Sequence, residues 1–244
     1  MWNKTQIEQH CQAVKLLEKI KDLALLEIKN KPNTSEWQVK EFILKKFKEF
    51  GMTSDSDTPI VAFRESTCNP HYFPKRKCNK LTRNSLIMLD IWARLKVKGA
   101  PYADLTWMAF YGNKIPVKVQ NVFDIVIKAR DKCVSHIKKE LKKSQIPSGQ
   151  ELDIVCRDYI TKQGYGKEFK HSTGHCIGFY SPHGNRGNLR KTNHKPILIN
   201  VGYTIEPGIY LQDKFGIRSE IDFYVNKKKE VMVTCKVQKK IIKI

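Results

Sequence analysis

The chain has 244 residues, a formal net charge of +21 and a hydrophobic content of 41%. This composition supports a hydrophobic core in one large domain or in two packed halves, and no apolar run approaches the roughly 20 residues that a membrane span requires. The start of the chain, Met-Trp-Asn-Lys-Thr-Gln-Ile-Glu, has no apolar stretch before a small-residue cleavage site, so we expect no signal peptide and no membrane partner.

The seven cysteines are odd in number, and none is spaced as Cys-x-x-Cys. Disulfide frameworks and thiolate zinc sites normally show paired spacings. We therefore expect reduced thiols and a cytoplasmic location.

The positive charge comes mostly from lysine, with 36 lysines against 9 arginines. Dense runs occur only at Lys138-Lys139, Lys142-Lys143, Lys227-Lys228-Lys229 and in the tail from Lys236 to Lys243. Arginine-rich arms and interleaved aromatic residues, which are typical of nucleic-acid binding, are missing. The lysines are interpreted as solvated surface, while contact with nucleic acid or ribosomes stays open.

The first half of the chain reads as two helices followed by strands. An apolar stripe predicts a helix over residues 5–30, which Pro32 ends. Ser35 with Gln38 forms the pattern of a capping box for a second helix, and Gly51 is placed to end that helix. The predicted strands are Ile60–Phe63, Leu86–Leu95 and Tyr102–Tyr111.

The second half repeats this order. Residues 118–143 carry a helical stripe, and Ser148-Gly-Gln-Glu151 is a capping box for a further helix that Gly164 ends. The predicted strands are Gly174–Tyr180, Tyr203–Leu211, Arg218–Val225 and Glu230–Val237. The pattern predicts an α+β fold in which residues 1–244 form one domain of two pseudo-equivalent halves, about 1–115 and 116–244.

Four carboxylates and one histidine lie within short local motifs along this pattern. They are Asp90 in Leu-Asp-Ile-Trp, Asp104 in Ala-Asp-Leu-Thr, His175 in His-Ser-Thr-Gly-His, Glu206 in Thr-Ile-Glu-Pro-Gly and Glu220 in Arg-Ser-Glu-Ile-Asp. Carboxylates gathered at one buried point repel each other, and divalent cations make such a cluster tolerable. Oxygen donors with one imidazole suit two ions such as Mn, Co, Fe or Zn.

In these motifs the chain resembles the metallopeptidases of the pita-bread fold, which include methionine aminopeptidases, Xaa-Pro aminopeptidases and prolidases. The resemblance covers about Ile60 to Asp222 by motif. It implies that Asp90 binds one metal ion, that Asp104 and Glu220 bridge two, and that His175 and Glu206 bind the other. It also implies hydrolysis of peptides by a metal-bridged hydroxide, with Glu206 relaying a proton to the leaving amine.

Three further histidines match substrate-contacting positions of the family. His71 lies in Asn-Pro-His-Tyr, and His171 precedes the metal histidine by four residues, a spacing typical of the Xaa-Pro aminopeptidase and prolidase branch. His183 in Pro-His-Gly-Asn-Arg-Gly resembles the histidine that contacts the substrate carbonyl. Arg218, two residues before a ligand glutamate, is also typical of the Xaa-Pro branch.

The chain departs from the family pattern in its spacings. His183 follows His175 by eight residues, where the family usually has seven. The two ligand aspartates are 14 residues apart, so the turn Lys96-Val-Lys-Gly-Ala-Pro101 is expected to be longer than usual. The Xaa-Pro branch usually carries an N-terminal domain, and we expect this chain to be a bare catalytic module.

The sequence therefore predicts a metal-dependent aminopeptidase with a preference for proline at the second position of the peptide. Methionine aminopeptidase activity is an alternative, since the chain has a similar size. A non-catalytic member of the fold that binds nucleic acid or ribosomes is another, although the intact ligand set argues against it. A creatinase-like enzyme of the same fold is disfavoured because that branch lacks the full metal set.

The remaining histidines and two tryptophans are assigned structural roles. His10, His136 and His194 are expected on the surface. Trp92 and Trp107, which lie beside the ligand aspartates, are expected to pack in the core rather than to contact substrate.

Overall fold

The fold is that of a computed structural model, which describes residues 1–55 and 59–244. The long helices are α1 (Lys4–Asn30), α2 (Glu36–Glu49), α3 (Val117–Lys142) and α4 (Gly149–Lys162). The strands of the first half are β1 (Met52–Thr53), β2 (Ile60–Phe63), β3 (Ser85–Leu95) and β4 (Ala103–Tyr111). The later strands are β5 (Gly174–Ile177), β6 (His183–Leu189), β7 (Gly202–Ile205), β8 (Gly208–Leu211), β9 (Phe215–Arg218), β10 (Ile221–Val225), β11 (Val231–Val233) and β12 (Ile242–Lys243).

Capping boxes fix the starts of three helices. The side chains of Asn3, Ser35 and Ser148 each accept a hydrogen bond from the backbone N–H of the residue three positions later. The side chain of that later residue accepts a hydrogen bond from the backbone N–H of the cap residue. These bonds satisfy donors that a helix start otherwise leaves open. The boxes predicted at Ser35 and Ser148 are confirmed.

The first sheet places β3 at its centre. The order is β1-β3-β4-β12, and β2 also pairs with β3. In the antiparallel β3–β4 pair Asp90 lies opposite Thr106, and Trp92 lies opposite Asp104. This register brings the two predicted ligand aspartates onto neighbouring strands.

Both faces of β3 are buried, which explains its continuous apolar sequence. Leu86 and Met88 face a core shared with α3, α4 and the second sheet, whereas Ile87 and Leu89 face a core shared with α1 and α2. The strand therefore links the two hydrophobic cores of the molecule.

The second sheet has the order β11-β10-β7-β5-β6, and β8 pairs with β9 in a separate hairpin. The predicted strand Tyr203–Leu211 is wrong as one element, because it divides at Glu206-Pro207 into β7 and β8. Proline has no N–H for a strand ladder. The predicted strand Arg218–Val225 divides likewise at Ser219-Glu220.

The surface prediction for His10 is also wrong, because the residue is 1% exposed. Its Nδ1 donates a hydrogen bond to the Tyr102 carbonyl at 2.8 Å, and its ring lies 4.8 Å from that of Trp2. α1 packs against β3 and β4, so its inward face reaches the connection between those strands. His136 is half-buried, whereas His194 is exposed as expected.

Trp92 and Trp107 are both buried, as predicted, but Trp92 also lines the cavity described below. All seven cysteines are free thiols. Within the described part of the chain, no helix combines the length and the apolar character that crossing a bilayer would need. The four long helices follow the predicted order, whereas β1, β6 and β12 were not predicted. The division of the domain at about residue 115 stays a prediction.

Candidate metal centre

The five predicted ligands come from different strands and reach one cavity. Asp90 lies on β3, Asp104 on β4 and His175 on β5. Glu206 follows β7, and Glu220 lies between β9 and β10. All five side chains line a cavity of about 350 Å³.

Three of these residues are close enough to chelate a single cation. One ligand atom from each of Asp104, His175 and Glu220 lies within 4.8 Å of the others. The His175 Nε2 is 3.5 Å from the Asp104 Oδ2 and 3.4 Å from the Glu206 Oε1. These oxygen donors and one imidazole nitrogen fit a divalent transition-metal ion.

Gly174 allows β5 to approach β7 closely at the histidine. A Cβ at this position would lie 2.1 Å from the Thr204 backbone oxygen. The Thr204 hydroxyl accepts a hydrogen bond from the His175 N–H at 3.0 Å and donates one to the Glu206 Oε1 at 3.0 Å. Thr204 therefore orients two predicted ligands, a role that the sequence analysis missed although Thr204 lies in the quoted motif.

A second hydroxyl orients the other side of the cluster. Thr106, opposite Asp90 in the β3–β4 register, donates a hydrogen bond to the Glu220 Oε2 at 2.7 Å. Its oxygen accepts from the Arg218 Nε at 3.1 Å, and the Arg218 Nη2 donates to the Asp90 Oδ2. The guanidinium is buried and is the fixed cation beside the carboxylates.

Two further residues that the sequence analysis missed extend these contacts. The Arg218 Nη1 donates to the Tyr210 hydroxyl at 3.4 Å. Asp222 is buried, and its Oδ2 accepts a hydrogen bond from the Asp104 backbone N–H at 2.9 Å. Asp222 thereby fixes the backbone of a predicted ligand. No local pattern marks Asp222, because the backbone that it holds lies 118 residues away in the sequence.

The carboxylates perturb one another as a buried cluster should. Burial first, and then the charge of Asp90, raises the pKa of Asp104 well above its usual range. Burial and the charge of Asp104 do the same to the pKa of Glu220. Burial raises the pKa of Asp90 as well, against the opposing effect of Arg218.

Glu206 differs from the other three carboxylates. Burial acts to raise its pKa, but the neighbouring His175, His171 and Arg218 side chains act against burial, so its pKa is lowered. The cluster as a whole holds more negative charge than Arg218 balances. Bound divalent cations would remove the repulsion that raises the carboxylate pKa values, so the residues fit the metal ions expected from the sequence.

The three other predicted histidines also line or adjoin the cavity. The His183 ring lies 4.1 Å from the His175 ring, and burial lowers its pKa. His71 is exposed at the mouth of the cavity. His171 lies behind it: its Nδ1 donates to the Ser172 carbonyl at 2.8 Å, its Nε2 lies 2.8 Å from the Tyr210 hydroxyl, and burial lowers its pKa to about 4.

One known protein family matches most of this chain. The profile of metallopeptidase family M24 matches residues 8–227. The chain belongs to this family. The resemblance and the α+β pita-bread fold that the sequence predicted are thereby confirmed.

Two solved M24-fold structures align with the whole chain. An X-Pro aminopeptidase from Thermotoga maritima MSB8 has a TM-score of 0.85 and 26% identity, and the match covers 100% of this chain and 64% of that one. A recombinant prolidase from Thermococcus sibiricus has a TM-score of 0.85 and 27% identity, with 100% and 62% covered.

A curated relative is an uncharacterized peptidase of Staphylococcus haemolyticus strain JCSC1435. It is 26% identical over 223 residues, which are 91% of this chain and 59% of that protein. The M24 chain thus spans less than two thirds of the length of these three relatives.

Proposed function

We propose that this M24 chain is a metal-dependent aminopeptidase that releases the first residue of peptides, with a preference for proline in second position. The observation that carries the proposal is the convergence of Asp104, His175 and Glu220 within 4.8 Å in a cavity that also holds Asp90 and Glu206. The carboxylates gather there at a cost in repulsion that bound cations would relieve.

Two divalent ions, Mn, Co, Fe or Zn, are the proposed cofactors. Asp90, Asp104, His175, Glu206 and Glu220 would hold them. When bound, the ions polarise the peptide carbonyl and lower the proton affinity of the attacking water.

Glu206 is the proposed general base and acid. Its Oε1 is oriented by the Thr204 hydroxyl, and its lowered pKa keeps it ionised and able to accept a proton from water. It then returns that proton to the leaving amine.

His183 and His71 are the proposed electrophilic groups. The His183 ring lies against His175, where the reacting carbonyl would sit, and His71 stands at the cavity mouth. Donors held at these positions stabilise the negative charge on the carbonyl oxygen in the transition state. His171 positions Tyr210 through the 2.8 Å contact of its Nε2 with the hydroxyl.

Two observations support Xaa-Pro over methionine specificity. His171 and Arg218, both typical of the Xaa-Pro branch, contact the Tyr210 hydroxyl, and Arg218 lines the cavity. The X-Pro aminopeptidase and the prolidase named above share the fold over the whole chain. The alternative of a methionine aminopeptidase is kept as an outcome of the assay. The cytoplasm remains the compartment we propose, on the basis of the free thiols.

The experiment compares peptides on protein that has been stripped with chelator and reloaded with Mn or Co. We expect turnover of Xaa-Pro peptides and little turnover of Met-Ala-Ser. Turnover of Met-Ala-Ser alone would assign methionine aminopeptidase activity, and no turnover of either at full metal occupancy would reject the proposal. Glu206→Ala should lose metal or activity, whereas His71→Ala should lose turnover with metal retained.

A further inference from the structure

A carboxylate outside the ligand set lines the same cavity. Asp55 accepts a hydrogen bond from the Trp92 indole Nε1 at 2.8 Å. The neighbouring Ser54 hydroxyl donates to the Trp92 backbone carbonyl at 2.6 Å. Two bonds therefore hold this short segment against β3, two residues beyond Asp90.

Asp55 forms no ion pair within residues 1–55 and 59–244. The remaining residues, Ser56-Asp-Thr58, carry no cationic side chain. The Arg94 guanidinium lies over the Tyr102 ring, and its Nη1 donates hydrogen bonds to the Leu95 and Val97 carbonyls. Asp55 lines the cavity and can therefore pair with a cationic group of a ligand.

The charge of Asp55 reaches the reaction centre. Burial is the first cause of the raised pKa of Asp104, and the charge of Asp55 contributes to it. Burial lowers the pKa of His183, and the charge of Asp55 opposes that shift. Asp55 thus lines the cavity where substrate would lie and is bonded to the Trp92 indole, outside the group Asp104, His175 and Glu220 that could chelate a cation.

We propose that Asp55 selects peptides whose first residue is lysine or arginine, by pairing with the cationic end of that side chain. The inference rests on the proposed function, because it requires the cavity to hold the first residue of a peptide. The α-ammonium group lies two bonds from the scissile carbonyl and stays at the metal centre. A long cationic side chain on the first residue is then the group that can reach Asp55 at the Trp92 indole.

The apolar residues of the cavity suit the aliphatic part of such a side chain. Ile60 and Trp92 line the cavity together with Asp55 and the ligand cluster. Lysine and arginine place their methylene groups along apolar surface and keep the charged end at a polar group. A charge-assisted hydrogen bond in this half-buried setting should favour lysine over an uncharged residue of equal length by about tenfold.

The test uses norleucine, which has the length of lysine without the ammonium group. The ratio of kcat/KM for Lys-Pro-Ala to that for norleucyl-Pro-Ala is measured on Mn-loaded protein, in the natural chain and in Asp55→Asn. Asparagine keeps an oxygen for the Trp92 indole and removes the charge. We expect a ratio of about 10 in the natural chain and about 1 in the variant, because only the lysyl peptide loses a charged contact. Asp213→Asn, which alters an exposed carboxylate away from the cavity, should keep the natural ratio.

A binding measurement separates this inference from the proposed function. Calorimetry with L-lysine and L-norleucine on Mn-loaded protein requires no turnover, and lysine should bind about tenfold more tightly only where Asp55 is present. If no Xaa-Pro peptide is hydrolysed but this difference appears, the proposed function fails and the cation site stands. An equal loss of kcat/KM on both peptides in Asp55→Asn would mean that Asp55 holds the α-ammonium group, and would overturn the inference. Equal affinity for the two amino acids, or binding of neither, would also overturn it.

Discussion

Arg218 donates a hydrogen bond to the Asp90 carboxylate at the inner wall of the cavity. The guanidinium is held there by the Thr106 hydroxyl at 3.1 Å and by the Pro70 carbonyl at 3.3 Å. Burial acts to lower the pKa of Arg218, but the charge of Asp90 raises it well above its usual value. One side of the carboxylate cluster is therefore neutralised by the protein itself, and the other side depends on bound cations.

This division of charge predicts a metal-dependent defect in Arg218→Met. Removing one partner of a buried pair leaves an uncompensated charge, so the metal-free variant should lose about 3–5 kcal/mol of unfolding free energy. Mn should restore part of the loss, because a cation near Asp90 replaces the missing positive charge. Urea unfolding in EDTA and in Mn measures both values.

Arg157→Met is the matched control for that experiment. Arg157 pairs with the buried Asp153 at 2.8 Å, outside the metal-ligating residues. The loss of unfolding free energy in Arg157→Met should be the same with and without Mn. An Arg218→Met defect that Mn leaves unchanged would contradict the proposed charge balance.

His183→Ala separates chemistry from metal binding. If His183 stabilises the carbonyl oxygen in the transition state, kcat on an Xaa-Pro peptide should fall by about 100- to 1,000-fold. The Mn affinity should stay within about threefold, since His183 contacts His175 by ring packing and is not a proposed ligand. His175→Ala should instead lose Mn, and a similar loss of Mn in His183→Ala would remove the assigned role.

Gly174→Ala tests the close approach of β5 and β7. The added methyl group would meet the Thr204 backbone oxygen, so the strands must separate and the Thr204 contacts with His175 and Glu206 must lengthen. We expect a loss of about 1–3 kcal/mol of unfolding free energy and weaker Mn binding. Calorimetric titration with Mn measures the second effect, and unaltered affinity in a folded variant would show that the approach does not position the ligands.

His10 predicts an acid-sensitive contribution to stability. Burial lowers its pKa to about 4 from 6.5, so between these pH values the unfolded chain binds more protons than the folded chain. Stability should therefore fall as pH decreases from 6.5 to 4, by roughly 3 kcal/mol from this residue. The facing titratable group is Asp222, whose Oδ2 is 3.8 Å from the His10 Nε2.

The measurement is urea unfolding at several pH values in the natural chain, in His10→Gln and in His194→Gln. His10→Gln should show a shallower loss between pH 6.5 and 4 than the natural chain. His194→Gln, an exposed histidine, should match the natural chain. Equal pH dependence in all three proteins would argue against a buried neutral His10.

The helices and the five candidate ligands were predictable because their signals are local. Capping boxes at Ser35 and Ser148 mark helix starts within four residues. Each candidate ligand lies in a short motif of neighbouring residues. The residues that orient the ligands carry no such signal, because Thr106 and Asp222 act through partners more than 100 residues away.

Other misses have different physical causes. β6, which begins at His183, is rich in Gly, Asn and Arg and lacks the β-branched alternation of a strand. It becomes a strand through its pairing with β5, a tertiary effect. β12 is two residues long and forms only by joining the edge of the first sheet beside β4. His10 looked like a surface residue because its neighbours in sequence are polar, whereas its burial depends on where α1 docks.

The most direct test of the metal centre is anomalous X-ray diffraction from crystals of the protein grown with Mn. We expect two anomalous peaks within coordination distance of the set Asp90, Asp104, His175, Glu206 and Glu220. Both peaks should disappear in a folded Asp104→Asn, Glu220→Gln double variant. Fully formed crystals without a peak in this cavity, or with Mn bound only elsewhere, would contradict it.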